Sequence, residues 1–81
     1  MLKVTESRRN VGTRVMKVEG FSQRELSELN SMEYREMKDA VLTALDNRNG
    51  GIGSIWSAGY GVYTVWIMND CVFLEVGTNC D

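Results

Sequence analysis

Between Val62 and Val76 the chain alternates around Asn69-Asp70 in a way that leaves both faces of a hairpin apolar. Asn and Asp tolerate positive φ, so this pair between two apolar runs marks a two-residue turn. Counting outward from the turn, Met68 opposes Cys71, Ile67 opposes Val72, Trp66 opposes Phe73, Val65 opposes Leu74 and Thr64 opposes Glu75. Alternate pairs point to opposite sides of a sheet. One side then carries Tyr63, Val65, Ile67, Val72, Leu74 and Val76. The other carries Thr64, Trp66, Met68, Cys71, Phe73 and Glu75. At 81 residues the chain is a single compact domain, 1–81. A domain this small buries only about 60% of its unfolded surface. Its single helical region covers the aliphatic side. The Trp66–Phe73 side is left to loops or to another molecule.

That helical region has a well-marked start. Ser22 and Glu25 have the spacing of a capping box, in which each side chain satisfies the other's orphan backbone N–H. Phe21 and Leu26 hold the hydrophobic-staple positions around it. Leu26, Leu29, Tyr34, Met37, Ala40, Val41, Ala44 and Leu45 then form an apolar stripe, with Asn30 and Glu33 in its middle. A break with a second box over Asn30-Ser31-Met32-Glu33 resolves that conflict better than one continuous helix. The spacing therefore favours helices over 23–29 and 31–47. Asn47 to Gly51 supplies residues that end a helix.

Residues 2–6 and 11–18 are rich in Val and Thr, and Ser7-Arg8-Arg9-Asn10 between them is turn-like, which predicts an opening hairpin. Ser54–Ser57, Val62–Met68 and Cys71–Val76 read as later strands. The expected fold is α+β, with an antiparallel sheet of about five strands in β-β-α-β-β-β order. One long or broken helical region packs on one face.

The amino-terminal segment lacks the apolar core of a signal peptide, and no apolar run approaches the ~20 residues of a membrane-spanning helix. The expectation is a cytoplasmic protein with no membrane partner. Cys71 and Cys80 are then free thiols, because bridging them requires the tail to fold back after Gly77. Cys-x8-Cys is no zinc spacing, and no His exists to complete a site. No metal or other cofactor is expected.

Without His there is no Ser–His or Cys–His nucleophile pair, and Cys71 has no such base. Gly50, Gly51 and Gly53 match neither a Walker A loop nor G-x-G-x-x-G, and they follow a helix rather than a strand. Residues 22–45 have the outline of a helix-turn-helix. Its second helix is acidic, however, with Glu33, Glu36, Asp39 and Asp46 against Arg35 and Lys38, which opposes docking on phosphates. The chain reads as no enzyme.

Charge is sorted along the chain. Residues 1–24 carry net +4, residues 25–48 net −3, and residues 49–81 net −3 with no basic residue. A dipolar surface of this kind orients a partner during encounter. The leading expectation is a non-catalytic protein-binding domain that meets another protein, or its own copy as a homodimer, through Trp66, Phe73, Met68, Thr64 and Glu75 or through the acidic helical surface. Small acidic inhibitors made by phages and other mobile elements against host proteins share this composition. The alternative is a single-stranded nucleic-acid binder that uses Arg8, Arg9, Arg14 and Lys17 beside the aromatics of the sheet. The net charge of −2 and the absence of basic residues after Arg48 weigh against it.

Overall fold

The computed structural model describes residues 2–48 and 61–77. Along the chain run β1 (Lys3–Asn10), β2 (Thr13–Glu19), α1 (Gln23–Asn30), α2 (Tyr34–Arg48), β3 (Val62–Met68) and β4 (Cys71–Gly77). The fold is α+β, with a four-stranded antiparallel sheet ordered β1-β2-β4-β3 and two helices. The expected strand at Ser54–Ser57 lies outside the described residues. The described residues show four of the about five expected strands, in a β-β-α-α-β-β order. The two hairpins join through their inner strands, so among the described residues β1 and β3 are the sheet edges.

The second hairpin follows the counted register from Met68↔Cys71 to Thr64↔Glu75. Its turn residues take positive φ, Asn69 at 53° and Asp70 at 63°. One placement changes. An irregularity between Val62 and Thr64 lets Val62 pair with Val76. A bulge sets two residues against one and shifts the alternation. Val62 thus joins the core, while Tyr63 leaves the aliphatic side and lies 55% exposed beside Gly77. A Cβ added at Gly77 would stand 2.7 Å from the Tyr63 hydroxyl oxygen, so this close approach needs glycine.

The first hairpin differs more from expectation. Its turn is Val11-Gly12, with Gly12 at φ 82°, and Ser7-Arg8-Arg9-Asn10 belong to β1. Those residues are polar because β1 is a nearly fully exposed edge strand, not because the chain reverses there. A bulge between Glu6 and Arg8 sends Arg8 to the side of Val15 and Arg9 to the side of Arg14.

The capping box forms as the spacing requires. The Glu25 backbone N–H donates to Ser22 Oγ (3.1 Å), and the Ser22 N–H donates to Glu25 Oε1 (2.9 Å). The helix does break, though not through a box at Asn30. Asn30 ends α1, Ser31 caps it by donating its hydroxyl to the Glu28 carbonyl (2.7 Å), and α2 starts at Tyr34. Both helices pack on one side of the sheet. Leu26, Leu29, Met37, Val41 and Leu45 meet Met16, Val18, Val65, Val72, Leu74 and Val76, and Leu2 joins them. Tyr34, expected in the apolar stripe, is about half exposed. Its hydroxyl accepts a hydrogen bond from the Val65 backbone N–H (3.1 Å).

Candidate functional site

The register assigns every described residue of the sheet to one of two faces. Opposite the helices, β4 presents Cys71, Phe73 and Glu75, and β3 presents Thr64, Trp66 and Met68. Pairing of β2 with β4 adds Val15 beside Glu75 and Lys17 beside Phe73, and β1 adds Arg8 beside Val15. Trp66, Phe73, Met68, Thr64 and Glu75 therefore share one face. Among the described residues no helix packs over it.

At the centre of this face Trp66 and Phe73 stack, with ring centroids 5.7 Å apart and planes 11° from parallel. Such a pair contributes about 0.5–1.5 kcal/mol beyond its buried area. Phe73 is only 8% exposed and Val15 only 3%, so the face has a buried floor of its own. Trp66 is half-buried, and Met68 rises beside it, 50% exposed. Ser7 and Arg8 reach in from β1, and together these six residues line a shallow depression of about 180 Å³. Ser7 and Val15 carried no signal in the sequence: Ser7 enters through a bulge and Val15 through the joining of the two hairpins, neither of which leaves a local trace.

Arg8, Arg9, Arg14 and Lys17, the candidate nucleic-acid contacts of the first hairpin, divide between the faces. Arg9 and Arg14 both turn toward Glu6, Arg9 Nη2 at 3.1 Å and Arg14 Nη1 at 3.5 Å from Oε1. The hydrogen bond from Arg9 holds the Glu6 carboxyl below its ordinary value of 4.5; lost hydration opposes this, and the charge of Arg9 and the hydrogen bond and charge of Arg14 add to the lowering. Lys17 stays on the open face, 4.0 Å from Glu19. Arg8 has no carboxylate within 4.0 Å among the described residues.

No three Cys, Asp or Glu side chains converge to hold a metal among the described residues. Cys71 is a free, half-buried thiol, and Cys80 lies outside the described residues. No described helix is long and apolar enough to cross a membrane. Comparison with protein-family models, with curated proteins and with solved structures gives no match to this chain. Its function is therefore argued from the open face alone.

Proposed function

We propose that this chain is a non-catalytic protein-binding domain whose partner is another protein and whose docking surface is the open face of the sheet. One observation carries the reading. Trp66 and Met68 stand partly exposed on a stacked, buried floor, with Arg8 at the margin, unpaired among the described residues, and no described helix above them. Trp, Met, Tyr and Arg are the residues enriched in protein interfaces, and a desolvated aromatic at the centre is the usual source of binding energy. Thr64 and Glu75 supply polar groups beside that centre. Inhibition of a host protein, the role suggested by composition, is one use such a surface would serve.

Nucleic-acid binding is the weaker reading. In its favour, Arg8 and Lys17 share the face with Trp66. Against it, Arg9 and Arg14 are directed at Glu6, and Phe73 is too buried to offer its ring to a base. Glu75 also lies on that face.

The test compares wild type with a Trp66→Ala, Met68→Ser double variant in affinity capture from a bacterial lysate read by mass spectrometry. The variant should stay folded by circular dichroism and lose a protein that wild type retains. A folded variant that keeps every wild-type partner would falsify the reading. Fluorescence anisotropy with single-stranded oligonucleotides supplies the other arm: tight binding that weakens steeply with salt would move the assignment to nucleic acid.

A further inference from the structure

We infer that the outer edge of β3 pairs with the same edge of a second copy of this chain, antiparallel about a two-fold axis, to make a continuous eight-stranded sheet. This rests on the reading of the C-terminal hairpin as the docking element. It assigns a role to the backbone edge, where the proposal above uses the face.

The hydrogen-bond alternation defines that edge. In an antiparallel pair, successive residues direct their N–H and C=O groups alternately toward the partner strand and away from it. The Val65 N–H is bonded to Tyr34 rather than to β4, so Val65 is an outward residue. Two residues on, Ile67 is outward as well, and its N–H and C=O both point away from β4. Among the described residues no strand pairs with this edge, and an open strand edge is a template for another strand.

Charge selects which edge and which occupant. A two-fold pairing sets each strand against its own sequence. For β1, which carries Lys3, Arg8 and Arg9 against Glu6 alone, this would bring together two strands of net positive charge, and β1 also carries the bulge at Glu6/Arg8. Like charges across a strand pair repel. Val62–Met68 contains no charged residue at all, so β3 meets its copy without that penalty. With the axis at Ile67, each Ile67 exchanges both backbone hydrogen bonds with its copy. Trp66 then lies opposite Met68 of the second copy on the open face. That contact covers Met68, which is half exposed in the single chain, with the aromatic–thioether pairing such residues favour.

Tyr34 sits where the ladder would lengthen. Its hydroxyl occupies the Val65 N–H that a neighbouring strand's carbonyl would otherwise take. The side chain therefore competes with the second copy for one backbone donor. Freeing that donor should favour pairing.

The experiment is sedimentation equilibrium over micromolar to millimolar protein, with amide hydrogen exchange read by NMR at both ends of that range. Wild type should pass from monomer to dimer, and the Ile67 amide should slow at least tenfold as it does, while the Val72 amide stays unchanged. Tyr34→Phe should dimerise several-fold more tightly. If Tyr34 only fixes α2 to the sheet, the same variant loses stability with no gain in association. A chain that stays monomeric throughout, in both forms, overturns the inference. So does a dimer in which exchange at Ile67 is independent of concentration. The double variant at Trp66 and Met68 separates the two proposals. If the double variant captures every wild-type partner while Ile67 of the wild type is protected at high concentration, the face reading alone is removed; if the double variant loses a partner while Ile67 of the wild type is never protected, the edge pairing alone is removed.

Discussion

The two sides of β4 are built from alternate residues of one strand, yet they are buried by different means. Val72, Leu74 and Val76 are fully buried against α1 and α2, which exclude water from that side. Phe73 is almost as buried on the opposite side, although no described helix covers it. Trp66 stacks against it from β3, and Val15 and Lys17 flank it from β2. The helix side is a core in the ordinary sense, closed on both sides of the contact. Among the described residues the open side is a single layer of side chains that shelter one another. A residue can therefore be inaccessible to solvent without being locked between two layers, and the energetic consequences differ.

The largest effect should come from Leu74→Ala. The site is enclosed, so both lost burial and a residual cavity count, and the cost should be about 3 kcal/mol within the usual range of 2–5. Urea melts measure it. Phe73→Ala should cost less, about 2 kcal/mol, because the gap opens to solvent and Trp66 can relax into it. Equal costs at the two positions would break the contrast and make the open side a second core. Ser22→Ala addresses the layer that makes the helix side a core. Loss of this N-cap should cost about 1 kcal/mol, with the Glu25 amide exchanging faster; an unmoved urea midpoint would mean that the cap contributes nothing to anchoring α1.

The smallest effect is electrostatic. The folded carboxyl of Glu6 titrates below its ordinary 4.5, so its stabilising contribution is complete above that value and is lost as pH falls through the lower folded value. Glu6→Gln should flatten stability against pH in that acidic window, with a deficit from wild type that is full at neutral pH, small because the group is exposed and screened by salt, and gone once the wild-type carboxyl is protonated. A wild-type curve already flat there would show that Arg9 and Arg14 are not held by Glu6 in solution.

Much of this was legible locally. The capping box at Ser22 and Glu25, the turn at Asn69-Asp70 and the pairing of Trp66 with Phe73 all follow from spacings of a few residues. Each arises from backbone groups or side chains that are neighbours in the chain. The same method misplaced the first turn, because an exposed edge strand and a turn are both polar, and Ser7–Asn10 satisfy either description. Gly12 was the better guide, since its positive φ is a steric requirement rather than a matter of composition.

Sequence by itself determined that this chain makes hairpins and capped helices and that its last hairpin is apolar on both sides. Periods of 2 and 3.6 residues impose those features wherever the chain ends up. Only the tertiary structure decided that β2 and β4 meet, that Arg8 and Trp66 line one depression while Arg9 and Arg14 converge on Glu6, and that β3 rather than β4 is an edge. The reason is physical. Pairing between the hairpins and the offsets made at bulges are set by how whole faces pack against the helices, and no single stretch of residues encodes that choice.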